Sequence, residues 1–264
     1  MSAKVRLDTL LAERGLFDSR SRAAASVLAG EVRIGAERRT AAKPGQIVAA
    51  DVELEVAPAP RFVSRGGVKL ANALDALALD PRDRLALDAG ASTGGFTDCL
   101  LQRGARHVVA VDVAYGELAW ELRNDERVTV LERRNARSLE PADLPYRPDL
   151  VVADLSFISL AKVLPALLRA AAPMHDVLAL VKPQFEAGRD RVGKGGVVRD
   201  AATRREALVA VALSARSLGA AVLGFAPSGL PGPKGNRETF VRLAEPGRDG
   251  AVEDLEAAAR EVEP

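Results

Sequence analysis

The sequence is poor in the residues that build disulfide frameworks and metal centres. Among its 264 residues there is a single cysteine, Cys99, and there are two histidines. One cysteine excludes an internal disulfide and a cysteine-rich zinc site, and the chain has no HExxH zinc-binding pattern. We therefore expect neither a disulfide-stabilised scaffold nor a metal centre.

Long apolar runs are also missing. No stretch approaches the length of a transmembrane helix, and residues 1–15 lack the continuous apolar core of a signal peptide. Aromatic residues make up only 4% of the chain, but hydrophobic residues make up 48% and charged residues 28%. These proportions exclude a disordered chain and are typical of a globular protein. We expect a cytoplasmic protein without a membrane partner.

The net charge is small, but it is unevenly distributed. The whole chain carries a formal charge of +1. Residues 1–45 hold nine Lys and Arg against five acidic residues, a local charge of +4. Residues 244–264 hold two Arg against seven acidic residues, a local charge of −5. This asymmetry indicates a basic contact surface near the start and a solvated acidic tail.

Residues 6–56 predict a small α+β unit. Apolar residues at helical spacing indicate one helix that ends near Gly15 and a second that ends near Gly30. Short strands are predicted within residues 31–35 and 46–56. About fifty residues are few for an independent domain, so this unit is expected to accompany a larger one.

From residue 63 onward, strand-like and helical segments alternate, after two prolines in residues 57–62 that indicate a stiff linker. The predicted strands span residues 84–90, 107–113, 127–132, 149–154, 176–182, 220–226 and 238–244. The predicted helices span residues 95–102, 115–123, 160–171 and 203–217. Strands separated by helices predict a mainly parallel sheet with helices on both faces. Only a turn-rich loop joins the last two strands, which are therefore able to pair antiparallel.

The first strand of this α/β part runs into the glycine-rich loop DAGASTGGF, residues 88–96. Its glycines permit a tight turn and a close approach to a ligand, and Asp112 at the end of the second strand is placed to accept both hydroxyls of a ribose. The loop has neither the GxGxxG pattern of dinucleotide-binding proteins nor the lysine of a Walker motif. A nucleoside ligand without a pyrophosphate remains, and S-adenosylmethionine fits. The alternative is a glycine-rich turn without a ligand.

Four further polar residues, Lys69, Asp154, Lys182 and Glu238, require an explanation. Asp154 and Lys182 end the fourth and fifth strands, so both should lie at the ligand-binding edge, on strands that neighbour the first. Acidic and basic groups gathered there are able to remove a proton from a poor nucleophile. Each is alternatively a surface ion pair or a strand-end cap. Periodicity does not place Lys69 or Glu238.

Other candidate residues have two interpretations each. Residues 183–200 contain four glycines and four basic residues, which suits a mobile loop that contacts phosphate or a solvated lid without a partner. Cys99 is expected in the core rather than as a nucleophile. Tyr115 is placed to flank an adenine, whereas Trp120 is expected to pack inside the protein.

Several long motifs resemble those of the TlyA family. They are LDTLLAERGLFDSRSRAAASVLAGEVRI, FVSRGGVKL, LDAGASTGGFTDCLL, DVAYGELAW, LRNDERV, VVADLSFISL, LVKPQFE and LPGPKGN. Members of this family, which has also carried the label haemolysin, join an S4 domain to an FtsJ-like class I methyltransferase domain. They are similar to ribosomal RNA cytidine-2′-O-methyltransferases. The resemblance covers nearly the whole chain.

The resemblance implies a domain organisation and a fold. It implies an S4 RNA-binding domain at residues 1–60, an interdomain linker at residues 61–64, and a methyltransferase domain with a Rossmann-like α/β sheet at residues 65–264. Phe62 stands in the linker where close relatives often have tryptophan. Residues before Leu7 and the acidic segment 251–263 look like the longer form of the family, which implies both small- and large-subunit ribosomal RNA as targets.

The resemblance also implies site residues. The Lys-Asp-Lys-Glu arrangement of ribose 2′-O-methyltransferases corresponds to Lys69, Asp154, Lys182 and Glu238, and it requires no metal. S-adenosylmethionine is expected to contact Asp88, Ala89, Gly90, Ala91, Ser92, Thr93, Gly94, Gly95, Phe96, Asp112, Tyr115, Asn135 and Asp154. Ribosomal RNA is expected to contact Arg6, Arg14, Arg20, Arg22, Arg65, Arg189 and Lys194. No obligate protein partner is implied.

Three other functions remain open at this stage. A membrane-lytic protein predicts a long apolar or strongly amphipathic segment, which the sequence does not show. A non-catalytic RNA-binding module predicts a broken glycine loop or a missing lysine, and both are intact. Methylation of a base through Cys99 requires a thiol that can reach its target, and a position on a helix is poor for that.

Overall fold

The computed structural model describes residues 3–57 and 60–263. The chain divides into two compact units, Met1–Pro60 and Arg61–Pro264. Each unit has its own hydrophobic core. Residues 58 and 59 of the predicted stiff linker lie outside the described residues.

The first unit is a small α+β unit, as predicted. Its helices are α1 (Leu7–Glu13) and α2 (Arg20–Leu28), and its strands are β1 (Lys4–Arg6), β2 (Val32–Ile34), β3 (Arg39–Thr40), β4 (Ile47–Ala49) and β5 (Leu54–Val56). Strand β1 pairs with β4, and β2 pairs with both β3 and β5, all antiparallel. The predicted strand region 46–56 is thus two strands in two sheets, because a turn follows Ala49.

The core of the first unit forms between its helices and strands. Leu7 and Leu11 of α1 and Val27 of α2 are fully or almost fully buried, and they pack with Val32 of β2 and Val48 of β4. The apolar stripes that predicted two helices are therefore the faces that these helices bury.

The second unit is built on a sheet with the strand order β11-β12-β10-β9-β6-β7-β8. These strands are β6 (Leu85–Ala89), β7 (His107–Val111), β8 (Val128–Leu131), β9 (Leu150–Ala153), β10 (Asp176–Val181), β11 (Ala221–Pro227) and β12 (Thr239–Ala244). Strands β6 to β10 run parallel, whereas β12 pairs antiparallel with β10 and β11. The mainly parallel sheet and its antiparallel final pair are confirmed.

The helices of the second unit are α3 (Arg65–Ala76), α4 (Gly95–Gln102), α5 (Trp120–Arg123), α6 (Leu164–Ala170), α7 (Pro183–Glu186), α8 (Ala201–Ser217) and α9 (Leu255–Val262). The helix predicted over residues 115–123 is wrong outside α5. Gly116 has a positive φ of 78°, and its N–H donates to the Glu132 carboxylate at 2.6 Å rather than to a helical carbonyl.

Three helices of the second unit were not predicted, and the shortest of them, α7, lies at the start of the segment 183–200 that was expected to be a loop. Helix α3 carries Lys69, which periodicity did not place, and Ser64 caps this helix by accepting a hydrogen bond from Gly66 N at 3.3 Å. Helix α9 lies in the tail that was expected to be solvated. Leu255 and Ala259, one helical turn apart, are buried there, so that expectation is wrong.

The sheet is covered on both faces. Along β6, β7 and β9, alternate residues enter two separate apolar clusters, for example Leu87 in one and Ala86 in the other. One cluster includes residues of α6, α8 and α9, and the other includes residues of α3 and α4. This confirms the predicted helices on both faces. Across residues 3–57 and 60–263, no helix is both long and apolar enough to cross a membrane.

Candidate active site

The carboxyl ends of the parallel strands bring the predicted site residues to one edge of the sheet. Asp112 directly follows β7, Asp154 follows β9 and Lys182 follows β10. Asp154 lies after a strand that neighbours β6. Lys182 does not, because β9 separates β10 from β6. The expectation that both strands neighbour the first is therefore wrong for Lys182, although the shared edge is confirmed.

Two cavities open at this edge. The lysine cavity, about 410 Å³, is lined by Lys69, Lys182 and parts of the glycine-rich loop. The Asp112 cavity, about 620 Å³, is lined by Asp112, Asn135 and residues 155–158, among others. Both are lined by Gly90, Ser92, Asp154 and Ser156. A ligand in one cavity therefore lies next to a ligand in the other.

The glycine-rich loop is shaped by contacts that only glycine permits. Gly90 has a φ of +88°, and a Cβ atom there would lie 2.6 Å from the Asp154 carbonyl oxygen. Gly94 has a φ of +96° and caps α4 at its N-terminus. A Cβ at Gly94 would overlap the side chains of Leu118 and Leu122. The loop thus turns sharply and keeps its backbone open toward the cavities.

Asp88, next to last in β6, is a buried carboxyl group below this loop. Its Oδ2 accepts hydrogen bonds from Thr97 N at 3.0 Å and Thr97 Oγ1 at 2.7 Å, whereas its buried Oδ1 has no partner in the described part of the chain. Complete burial is the main cause that raises the pKa of Asp88 to about 7; the nearby charge of Asp154 acts in the same direction, and the hydrogen bonds from Thr97 act against it. The folded protein therefore favours the neutral form of this carboxyl group.

This raised pKa makes the stability of the chain depend on pH. In the unfolded chain Asp88 ionises near 3.8, whereas in the folded chain it keeps its proton up to about pH 7. The unfolded state therefore binds fewer protons between these values, and the free energy of unfolding falls as the pH rises from about 4 to 7. Each pH unit between these two pKa values corresponds to about 1.4 kcal/mol, so the free energy of unfolding falls by a few kcal/mol in total.

An Asp88→Asn variant tests this pH dependence. Its amide oxygen accepts the same hydrogen bonds from Thr97, but the side chain does not ionise. We expect the variant to gain stability relative to the unsubstituted protein between pH 5 and pH 8, measured by denaturant unfolding at both values. A stability difference that is the same at both pH values would contradict the assigned pKa.

The Asp112 cavity presents polar groups suited to a ribose. Asp112 Oδ2 accepts a hydrogen bond from Ser92 N at 2.7 Å, and its Oδ1 accepts one from Ala114 N at 2.8 Å. Each oxygen retains a lone pair for a hydroxyl. The Asn135 Oδ1 accepts from Arg137 N at 3.0 Å, which leaves its amide N–H groups for a ligand. The backbone thus fixes both side chains before any ligand binds.

The two aromatic residues after Asp112 are both exposed, and the contact of Tyr115 with an adenine stays a prediction. Tyr115 is 68% exposed, and the Arg133 guanidinium lies 4.4 Å from the centre of its ring. Tyr115 does not line the Asp112 cavity. Trp120 is 73% exposed, so its predicted packing role is wrong, because α5 buries Leu122 instead.

The four predicted polar residues form two ion pairs at the lysine cavity. Lys182 Nζ lies 2.5 Å from Asp154 Oδ1 and donates a hydrogen bond to Ser156 Oγ at 2.9 Å. Lys69 Nζ donates to Glu238 Oε2 at 2.5 Å, and only 8% and 1% of these two side chains are exposed. Lys69, Asp154 and Lys182 line the cavity, and Glu238 anchors Lys69.

Several lining residues were missed by the sequence analysis. Ser156 stands two residues after Asp154, and this closeness in the sequence was the only feature that could have identified it as a lining residue. Ser64 and the prolines Pro231 and Pro233 also line the lysine cavity. Arg65, predicted to contact RNA, lines it as well, and its Nη2 donates to the Pro231 carbonyl at 2.9 Å.

The basic loop 183–200 is tied to the turn before β12. Asn236 Oδ1 accepts a hydrogen bond from Val198 N at 2.9 Å, and its Nδ2 donates to the Gly196 carbonyl at 2.8 Å. Lys194 is exposed on this loop. Arg189 lies in a short 3₁₀ turn, and its side chain lies outside the described part of the chain.

The other predicted RNA contacts lie in the first unit. Arg14 donates to the carbonyls of Ala50 at 2.6 Å and Val52 at 2.8 Å, so much of its hydrogen-bonding capacity is used inside the unit. Arg22 pairs with the exposed Asp18 at 2.7 Å. Arg6 and Arg20 both contact Asp8.

Cys99 lies in the core, as predicted. It is fully buried in α4, and burial raises the pKa of its thiol to about 12. A buried thiol that resists ionisation is a poor nucleophile, which argues against base methylation through Cys99.

Comparison with known proteins agrees with this architecture. Residues 62–245 match the model of the FtsJ-like methyltransferases, and residues 5–50 match the S4 domain. A "16S/23S rRNA (cytidine-2'-O)-methyltransferase TlyA" of Mycobacterium tuberculosis is 53% identical over 245 residues, which are 92% of this chain and 91% of the relative. A "Putative rRNA methyltransferase YqxC" of Bacillus subtilis is 44% identical over 256 residues, 96% of this chain and 90% of that protein.

A solved structure aligns with nearly the whole length of the chain. It is described as "Putative hemolysin from Streptococcus thermophilus" and aligns with a TM-score of 0.73 at 38% identity, covering 99% of this chain and 96% of that one. Both the sequence relatives and this structure extend over the S4 and methyltransferase parts. The chain therefore belongs to the TlyA family of FtsJ-like methyltransferases that carry an S4 domain.

Proposed function

We propose that this protein transfers the methyl group of S-adenosylmethionine to the ribose 2′-oxygen of a cytidine in ribosomal RNA, in the cytoplasm. The observation that carries the proposal is the position of Lys182, which contacts Asp154 and Ser156 where the two cavities meet. The relative from Mycobacterium tuberculosis, at 53% identity, is named for this reaction.

The Asp112 cavity fits the cofactor. Asp112 offers two acceptor oxygens for ribose hydroxyls, Asn135 offers amide N–H groups, and Gly90 lines the cavity without a side chain. Bound S-adenosylmethionine supplies an electrophilic methyl group on a sulfonium. The reacting end of the cofactor would face the residues shared with the lysine cavity.

The residues of the lysine cavity are suited to position a ribose hydroxyl and to assist the loss of its proton. A ribose hydroxyl is a weak acid, so its attack requires an oxygen that is held in line and loses its proton as the bond to carbon forms. Lys182 orients the 2′-oxygen or accepts its proton, and the Asp154 carboxylate stabilises positive charge on the Lys182 Nζ. Lys69, held by Glu238, stabilises negative charge that develops on the oxygen.

The basic residues indicate how RNA reaches this cavity. Arg65 lies at the cavity itself, and Lys194 is exposed on the loop that Asn236 holds. In the first unit, the arginines of the S4 domain provide charges for the phosphate backbone. We propose RNA of both ribosomal subunits as substrate.

Transfer of a labelled methyl group tests this function. The protein is incubated with labelled S-adenosylmethionine and, separately, with small and large ribosomal subunits that lack the modification. We expect label in the RNA of both subunits. Label in one subunit alone would contradict the dual specificity. Absence of label from both subunits, with the cofactor bound, would contradict ribosomal RNA as the substrate.

A further inference from the structure

Asp8 is a buried carboxylate that contacts two of the arginines expected to bind RNA. Its side chain is only 6% exposed. Oδ1 accepts a hydrogen bond from Arg6 Nε at 3.0 Å, and Oδ2 accepts one from Arg6 Nη2 at 2.8 Å. Arg20 Nη2 donates to the same Oδ2 at 3.4 Å. The Asp8 carboxylate thus accepts two hydrogen bonds from Arg6 and one from Arg20.

The carboxylate itself is firmly placed. Asp8 stands in the first turn of α1, where a negative charge is favourable, and its Oδ1 also accepts a hydrogen bond from Thr9 N at 2.8 Å. The hydrogen bonds from Arg6 hold the pKa of Asp8 well below its usual range. Asp8 is therefore ionised whenever the protein is folded at ordinary pH.

The two arginines remain available to a ligand. Their side chains are 51% exposed for Arg6 and 58% exposed for Arg20. A guanidinium has five N–H donors, of which Arg6 uses two on Asp8 and Arg20 uses one. The remaining donors are free to bind the oxygens of a phosphate, the group that arginine recognises best.

Gly45 provides the surface against which Arg6 lies. A Cβ atom at this position would be 2.9 Å from Arg6 Nη2, 3.1 Å from Nη1 and 3.2 Å from Cζ. The whole guanidinium is thus packed against the glycine. An alanine at residue 45 would displace the end of the Arg6 side chain without altering a charge.

We propose that Asp8 is a positioning residue that holds Arg6 and Arg20 as a preformed pair for the phosphates of RNA. This inference rests on the proposed function, since ribosomal RNA supplies the phosphates. Fixing two flexible arginines before binding reduces the entropy that is lost when the RNA binds. The exposed pair between Arg22 and Asp18 provides no such fixation, because water surrounds both partners.

Two aspartate substitutions separate positioning from bulk electrostatics. Asp8→Asn and Asp18→Asn each remove one negative charge beside an arginine of the first unit, and by charge alone each should strengthen RNA binding. If Asp8 positions the arginines, Asp8→Asn instead raises the KM for ribosomal subunits about tenfold and leaves kcat unchanged. Asp18→Asn leaves the KM unchanged or lowers it. Equal effects of the two substitutions would overturn the proposal.

Gly45→Ala tests the same geometry without removing a charge or a hydrogen-bond partner of Asp8. The end of Arg6 is flexible enough to move aside, so we expect an unchanged melting temperature and unchanged cofactor affinity. Displacement of Arg6 should still weaken binding to the subunits several-fold, and the slope of log affinity against log salt should fall by about 1. Unchanged affinity and slope would overturn the positioning of Arg6.

The outcome for Arg6→Ala distinguishes this inference from the proposed function. If the unsubstituted protein methylates ribosomal RNA and Arg6→Ala weakens RNA binding while Asp8→Asn does not, only the positioning role is wrong. If Arg6→Ala has no effect on binding, the arginine pair is not an RNA contact. If the unsubstituted protein transfers no methyl group to either subunit, the proposed function itself fails.

Discussion

Replacing Lys182 with alanine is expected to lower the kcat of methyl transfer by about 10²- to 10⁴-fold, the usual contribution of a positioned proton-transfer group. The Lys182 Nζ lies 2.5 Å from Asp154 Oδ1 in the lysine cavity, and Lys182 does not line the Asp112 cavity. Affinity for S-adenosylmethionine should therefore be largely unchanged. Single-turnover methylation and equilibrium binding of the cofactor measure the two quantities separately.

Lys162→Ala is the matched control for this substitution. Lys162 is an exposed lysine of the short 3₁₀ turn Leu160–Lys162, so its removal changes the charge of the chain equally but leaves both cavities intact. We expect this variant to keep its activity. If Lys182→Ala lost cofactor binding yet turned over normally at saturating cofactor, the assigned role of Lys182 would be wrong.

Breaking the ion pair between Lys69 and Glu238 is expected to affect both stability and activity. Lys69→Met leaves the Glu238 carboxylate buried without its partner, which costs about 3–5 kcal/mol in the free energy of unfolding. A double variant, Lys69→Met with Glu238→Leu, removes both charges and should recover most of that stability. Because Lys69 lines the lysine cavity, the double variant should still be inactive.

Denaturant unfolding and the methylation assay together separate these two effects. Arg169→Met is the control, since it breaks the exposed pair with Glu140 and should cost no more than about 1 kcal/mol. A stable double variant with full activity would show that Lys69 takes no part in the chemistry. Unchanged stability of Lys69→Met would contradict the burial of the pair.

Much of the catalytic edge follows from local sequence. In a parallel sheet, the residues that come directly after neighbouring strands must meet, so Asp112, Asp154 and Lys182 share an edge once their strands are recognised. The glycine-rich loop was also visible, because Gly90 and Gly94 adopt backbone conformations that other residues avoid. The order of the strands in the sheet could not be predicted from the sequence, so the position of β9 between β6 and β10 was not foreseen.

Lys69 shows why the rest of the site was hidden. It lies in α3, whose first turn contains Gly66 and Gly67, and glycine disfavours helices. Tertiary packing overrides this preference, since a Cβ at Gly67 would lie 2.8 Å from the Gly95 carbonyl and would overlap the Phe62 ring. The partner of Lys69, Glu238, is 169 residues away in the chain. Only the family resemblance connected these two residues.

The acidic tail illustrates a limit of arguments from charge. Seven acidic residues in residues 244–264 indicated a solvated segment. In the structure, Glu263 is buried and accepts a hydrogen bond from Arg204 Nε at 2.7 Å and another from Thr239 Oγ1 at 2.9 Å. A composition count does not show which acidic residues have partners inside the fold.

Identification of the methylated nucleoside tests the central claim most directly. Ribosomal RNA from each subunit is treated with the protein and S-adenosylmethionine, digested to nucleosides and analysed by mass spectrometry, with the Lys182→Ala variant alongside. The arrangement of Lys182, Asp154 and Lys69 predicts a methyl group on the ribose, and the proposed function predicts that the nucleoside is 2′-O-methylcytidine. We expect this product with the unsubstituted protein and at least 10²-fold slower formation with the variant. A methyl group on the cytosine base, or equal 2′-O-methylation by the variant, would contradict the account.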